Sequence, residues 1–169
     1  PEMSRGLGDV YKRQVWGGYS PSGFDCSGFV SYVLNHCGNG WNYGRLTAEG
    51  LRGVCTYVSP GEAKPGDLIF FQGTYNTSGA SHVGIYVGNN MMIHCGDPIH
   101  YSNISTSYWQ QHFMCFGRLP FLTDTNRRRT AVKPMAVFLF RQVFKKSLSR
   151  EYNRSGRKIR KDVVQYFCL

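Results

Sequence analysis

The stretch Gly23-Phe24-Asp25-Cys26-Ser27-Gly28-Phe29-Val30 decides how this 169-residue chain is read. Apolar residues recur at Phe29, Val30, Val33 and Leu34, the spacing of one face of a 3.6-period helix. Cys26 therefore stands where a loop runs into an amphipathic helix. The first turn of a helix presents unpaired N–H groups and a partial positive charge. Both favour thiolate over thiol, so the sequence predicts an unusually nucleophilic Cys26. The plainer alternative is a buried structural cysteine, although such residues more often sit mid-helix or in a strand.

A thiolate nucleophile needs a base, and the base needs a group that orients it. His82 opens the run His82-Val83-Gly84-Ile85-Tyr86-Val87-Gly88, whose alternation predicts a half-buried strand. His94 closes a second apolar run, Met91-Met92-Ile93-His94, and Gly88-Asn89-Asn90 between the two is a hairpin signal. A hairpin folds the second strand back along the first and makes neighbours of His82 and His94. The expected roles are Cys26 as nucleophile, His82 as general base and His94 as the residue that holds the base's ring. Two alternatives stay open: solvated or satisfied strand-edge histidines, and a zinc site completed by Cys26 or Cys95. No close Cys-x-x-Cys or His-x-x-x-His pair seeds such a site, so no metal is expected. His36, His100 and His112 read as ordinary surface or packing residues.

Four motifs in order carry a family resemblance. Trp16-Gly17-Gly18 followed by Gly23 to Val30 resembles the nucleophile motif of the NlpC-type cell-wall peptidases. Pro65-Gly66-Asp67-Leu68-Ile69-Phe70-Phe71 resembles their first core strand, Ser81 to Gly88 their histidine motif, and Met91 to His94 their third catalytic position. The stretches Leu46 to Val54, Phe71 to Tyr75 and Tyr108-Trp109-Gln110 look more narrowly like the peptidase domain of hydrolases carried by Gram-positive conjugative elements. The resemblance implies an α+β, papain-like fold with an N-terminal nucleophile helix packed on a central antiparallel sheet. It implies cleavage of peptidoglycan stem peptides between D-γ-glutamate and the diamino acid, with no cofactor. Cys26, His82 and His94 would form the catalytic set, with the Cys26 backbone N–H helping to hold the oxyanion. Asp25, Ser27, Trp16 and Ser81 would contact the substrate. Asp25 and Ser27 are also good helix N-caps, and one residue can serve both ends.

One position departs from the family pattern. Two residues before Trp16 the family usually has a tyrosine in the active site, and this chain has Gln14. Gln14 offers an amide donor of different reach to the oxyanion site. Losing one oxyanion donor costs ~10²–10³ in rate, so reduced activity is expected.

The resemblance covers residues 15–120, which make one domain large enough for its own core. Residues 1–14 read as a foreign or truncated leader, without the long apolar region of a secretory signal. Residues 121–169 read as a basic, poorly ordered tail. The formal net charge of +10 is unevenly spread: residues 1–123 hold 7 Lys+Arg against 7 Asp+Glu, and residues 124–169 hold 13 against 3. The peptidase-like part is neutral. The tail, with Arg127-Arg128-Arg129, Phe138-Leu139-Phe140 and Arg157-Lys158-Ile159-Arg160-Lys161, suits weak binding to an anionic surface, or else is an irregular extension or out-of-frame sequence. Its apolar run is far short of the ~20 residues of a membrane span. No base-reading fold is recognisable, so specific nucleic-acid binding is not expected.

Thr47 should cap a short helix over 48–51, and the Gly/Ser/Thr/Asn-rich segment from Gln72 to Ala80 should border the cleft or form a plain surface connection. Cys37, Cys55, Cys95 and Cys115 read as small buried hydrophobes, and Cys168 lies in the tail. The functional expectation is a monomeric, exported endopeptidase that acts outside the cell or in the wall. Its rivals are a Cys-His amidase or acyltransferase on the same fold and a non-catalytic remnant that binds wall or membrane surface.

Overall fold

The computed structural model describes residues 14–36 and 42–120. The expected leader (apart from Gln14), the basic tail, Cys37 and Cys168 lie outside the described residues. Chain order gives β1 (Tyr19–Ser20), β2 (Gly23–Phe24), α1 (Cys26–His36), α2 (Ala48–Gly53), β3 (Thr56–Val58), a 3₁₀ turn (Pro60–Glu62), β4 (Leu68–Gln72), β5 (Ala80–Gly88), β6 (Met91–Cys95), β7 (Ile99–Asn103), α3 (Ser107–His112) and β8 (Phe113–Arg118). β1 and β2 form a small hairpin; the remaining six strands form one antiparallel sheet in the order β3-β8-β4-β5-β6-β7. The chain is thus an α+β protein, as the motifs imply.

α1 begins at Cys26 because Asp25 caps it. The Gly28 N–H donates to Asp25 Oδ1 at 2.6 Å and the Phe29 N–H to the Asp25 carbonyl at 2.9 Å, which satisfies donors that a helix start leaves open. The helix then buries Phe29, Val30, Val33 and Leu34, the four residues that gave its periodicity, against Leu68, Phe70, Val83, Ile85 and Ile93 of the sheet. Gly28 allows this start to lie on the preceding loop. A Cβ there would come within 1.9 Å of the Gly18 carbonyl oxygen.

The sheet departs from the sequence reading in two places. Pro65 to Asp67 precede β4 as a tight turn, with Gly66 at φ 101° and the Asp67 N–H bonded back to the Lys64 carbonyl at 3.0 Å. The strand itself starts at Leu68. β5 is not half-buried: its residues Ala80 to Ile85 are all buried, and only Tyr86 to Gly88 emerge. The cause is cover on both faces. α1 and α2 pack on the Val83–Ile85 side, while Phe71, Trp109 and Phe113 belong to a second apolar layer on the other. Alternation within a strand reports one solvated face, and here neither face is solvated.

The hairpin between β5 and β6 forms as its turn residues predict. Asn89 and Asn90 both adopt positive φ (51° and 56°), the pairing of a type I′ two-residue loop. Thr47 caps α2 by accepting from the Gly50 N–H at 3.1 Å. Glu49, in the first turn of α2, is pulled down to a pKa of about 2 by its bond to Arg52 and by the Ala80 N–H, which it accepts at 2.7 Å. That last bond ties α2 to the first residue of the strand that carries His82.

Candidate active site

The β5–β6 register places Ile85 opposite Ile93 and Tyr86 opposite Met92, which makes His82 and His94 diagonal neighbours on one face. Diagonal partners meet only if nothing fills the space between them, and Gly84 leaves it empty. A Cβ on Gly84 would lie 2.9 Å from the Met92 sulfur and 3.2 Å from His94 Cβ. The two imidazoles bond directly, His82 Nε2 to His94 Nδ1 at 2.8 Å, with rings nearly perpendicular. His94 Nε2 then bonds Ser102 Oγ of β7 at 2.9 Å. Trp109 of α3 packs on both rings, at 5.3 Å from His82 and 5.1 Å from His94.

His82 and His94 are both buried, and burial is the main reason that both imidazoles are hard to protonate. The pKa of His82 falls to about 4, with the His100 charge adding to the burial effect and Asp25 opposing it. That of His94 falls to about 2, lowered by burial, then by His82 and His100. Among the described residues no hydrogen bond engages His82 Nδ1, and no buried side-chain nitrogen or oxygen lacks a partner. Nδ1 is therefore the solvent-reaching nitrogen of the base.

Cys26 is buried at the start of α1, 8% exposed, with the backbone N–H groups of Val83, Ser27 and Cys26 directed at its sulfur. The Val83 bond places the thiol beside the residue that follows His82. The net effect on the thiol corrects the expectation from helix position alone. Burial pushes its pKa up by more than the Val83 N–H and the other two donors pull it down, and the Asp25 charge adds to the rise. Cys26 thus holds its proton more tightly than a free cysteine, while the His82 imidazole is neutral.

Asp25 holds the nucleophile's surroundings together. Its Oδ1 accepts from Gly28 N–H and from Ser27 Oγ–H at 3.0 Å; its Oδ2 accepts from Gly17 N–H at 2.9 Å and pairs with the Arg45 guanidinium. Ser27 is buried. Ser81 is fully buried and its Oγ is shared by the Thr74 N–H at 2.9 Å, the Thr74 hydroxyl at 2.7 Å and the Phe71 carbonyl. Trp16 is exposed, and its ring meets Tyr75 edge to face at 5.2 Å. Gln14 is also exposed and forms an isolated parallel bridge with Phe24.

The other histidines and cysteines divide. His36 is a surface residue stacked on Tyr32, and half-buried His112 bonds the Gln72 carbonyl through Nδ1. His100 corrects the sequence reading: it lies directly across from His94 in the β6–β7 register, with rings 4.6 Å apart, so it is part of the site's electrostatics. Cys95 is fully buried and bonds the Phe24 carbonyl, whereas Cys55 and Cys115 are only half-buried, since both lie on the β3–β8 side where cover is incomplete. Among the described residues no group of three or more His, Cys, Asp and Glu converges as a metal site.

Ser102, Arg45 and the Val83 N–H escaped the sequence reading. Ser102 has a legible signal, because β7 alternates Ile99 and Tyr101 with the polar His100 and Ser102, and the polar pair faces the His94 side. Arg45 has none: it lies 20 residues from Asp25 in a loop.

An acid-stability experiment follows from the two neutral imidazoles. In the unfolded chain both histidines take up protons below about pH 6.5, but the folded protein resists until His82 titrates near 4 and His94 near 2. Between those limits the unfolded state binds more protons, so their contribution to stability is complete above pH 6.5 and lost as pH falls toward 4. The thermal midpoint of the wild type should drop more steeply from pH 7 to pH 4.5 than that of a His82→Gln/His94→Gln variant. Equal slopes would show that the pair is not held neutral.

Comparison with known proteins agrees with this geometry. The chain is 40% identical over 113 residues to the bifunctional muramidase/DL-endopeptidase CwlT of Bacillus subtilis, an alignment covering 62% of this chain and 32% of CwlT. It is 44% identical over 123 residues to the probable endopeptidase p60 of Listeria seeligeri, covering 70% of this chain and 21% of that protein. The chain therefore spans about a third or less of the length of these relatives. Among solved structures, a lipoprotein-like NLP/P60 family protein from Staphylococcus aureus superposes with a TM-score of 0.60 at 39% identity, over 64% of this chain and 37% of that one. The NlpC/P60 family profile matches residues 11–118, which include α1 and every strand of the six-stranded sheet, and the chain belongs to the NlpC/P60 family.

Proposed function

We propose that this domain is a peptidoglycan endopeptidase that hydrolyses the bond between D-γ-glutamate and the L-diamino acid of cell-wall stem peptides through a Cys26 acyl enzyme. The observation that carries the proposal is the His82–His94–Ser102 hydrogen-bond chain, whose first histidine precedes Val83, the residue whose N–H acts on the thiol of Cys26 at the helix start. The name of CwlT, a DL-endopeptidase, supports the bond assigned.

The proton arrangement follows from the partners. A base that accepts at His82 Nδ1 carries its own hydrogen on Nε2. That hydrogen donates to His94 Nδ1, so His94 carries its hydrogen on Nε2 and donates to Ser102 Oγ. The chain fixes the tautomer and ring orientation of His82, the task of the third member in a catalytic triad. As the thiol attacks the scissile carbonyl, His82 takes its proton; the sulfur bonds the carbonyl carbon in a tetrahedral intermediate whose oxygen is an oxyanion, and the C–N bond then breaks to leave the thioester. The Cys26 backbone N–H, unused by the helix, stabilises that charge. His82 next gives the proton to the departing amine, then activates the water that frees Cys26. No step requires a metal or organic cofactor.

Among the proposed substrate contacts, Trp16 has the exposure to meet a ligand directly. Asp25, Ser27 and Ser81 serve the cleft by holding its walls, since their polar atoms bond protein partners. The proposed setting is extracellular or cell-wall, with the domain acting as a monomer.

Product analysis tests the reading. Incubated with L-Ala-D-γ-Glu-diamino-acid tripeptide and with muropeptides, the protein should release the free diamino acid, seen by mass spectrometry. Release of the whole stem from muramic acid would replace the endopeptidase with an amidase. Adherence to peptidoglycan without any product would favour the binding remnant.

A further inference from the structure

Two exposed aromatic rings meet beside the site without belonging to its hydrogen-bond chain. Trp16 is 77% exposed and Tyr75 43% exposed, and they touch each other. Each is anchored through its chain neighbour. Gly17, next to Trp16, donates its N–H to Asp25, the residue before the nucleophile. Thr74, next to Tyr75, bonds through N–H and hydroxyl to Ser81, the residue before the base. The loop between β4 and β5 turns sharply at Gly73 (φ 66°) and Gly79 (φ 74°), which directs the segment holding Tyr75 back toward the Trp16 loop. The ring contact therefore joins the loop leading to Cys26 with the loop leading to His82.

The ring contact brings Tyr75 against the loop that leads into Cys26. Partial burial raises the pKa of its phenol, and the Cys26 and Asp25 charges raise it further, so the hydroxyl keeps its proton and lies within electrostatic reach of the nucleophile. A rigid aromatic with a polar tip gives both contact area and a directed donor at small entropic cost.

We infer that Tyr75 is a substrate-contacting residue of this domain: its ring, seated on Trp16, walls the cleft, and its hydroxyl donates to the stem peptide at the reacting carbonyl. The inference rests on the endopeptidase reading and names a further residue of the same site.

The test uses intact peptidoglycan sacculi, which report turnover whichever bond is cut, alongside the tripeptide. Tyr75→Phe removes the hydroxyl alone and should lower turnover by about 10²-fold, chiefly in kcat, with the thermal midpoint unchanged. Tyr75→Ala should add a rise in KM. A Tyr75→Phe variant within twofold of the wild type overturns the inference, even where the wild type releases the diamino acid. Cleavage of a different bond by the wild type overturns the proposed specificity but leaves the Tyr75 comparison standing. If the wild type shows no turnover, co-sedimentation of Cys26→Ala and Cys26→Ala/Tyr75→Ala with sacculi decides. Weaker sedimentation of the double variant supports the contact, and equal sedimentation overturns it.

Discussion

Cys26→Ala is expected to abolish release of the diamino acid, a loss of about 10⁴-fold or more, while the folded protein stays intact. The magnitude follows from the role. An alanine cannot form the thioester, and among the described residues the thiol of Cys95 is no substitute: it is fully buried, points to the Phe24 carbonyl and has its pKa pushed up to about 12, chiefly by burial. The fold should survive because the Cys26 side chain contributes little to the helix start. Asp25 caps α1 through Gly28 and Phe29, and Cys26 is a small member of a core face whose bulk comes from Phe29, Val30, Val33 and Leu34. Tripeptide turnover and a thermal melt on the same preparation check both halves. Retained turnover in purified Cys26→Ala would refute the nucleophile assignment.

The histidines should give graded losses. His82→Gln removes the proposed base and should cost about 10⁴-fold in kcat. The thiol makes this dependence severe, since burial raises its pKa and leaves little thiolate in the free enzyme. His94→Gln keeps a polar group beside His82 but breaks the relay to Ser102, so the base loses its enforced tautomer. A loss of about 10²-fold is expected, larger than for Ser102→Ala and smaller than for His82→Gln. Steady-state kinetics on the three variants test the order. Equal, near-total losses for His82→Gln and His94→Gln would mean that the two act as one unit; an undiminished His94→Gln would remove it from the mechanism.

The parts of the site legible in the sequence are those set by local pattern. The periodicity of Phe29, Val30, Val33 and Leu34 placed Cys26 at a helix start, and Asn89-Asn90 placed the hairpin that joins the two histidine strands. The extent of burial was not legible. β5 reads as a one-faced strand, and only the second apolar layer from Phe71, Trp109 and Phe113 shows why both its faces are covered. The same burial reverses the sign expected for Cys26, because the gain from a helix terminus is local while desolvation depends on everything packed around the sulfur.

Chain order and residue type by themselves determined the α+β class and marked Cys26, His82 and His94 as the candidate catalytic set. Each depends on spacing within a few residues, where helix and strand periods dominate. Tertiary structure alone decided that Ser102 ends the relay, that Arg45 pairs with Asp25, that His100 stands against His94, and that Tyr75 meets Trp16. Those contacts depend on strand register and on loops brought together by the sheet. A single sequence records the residues at such a contact but carries no local energy that pairs them.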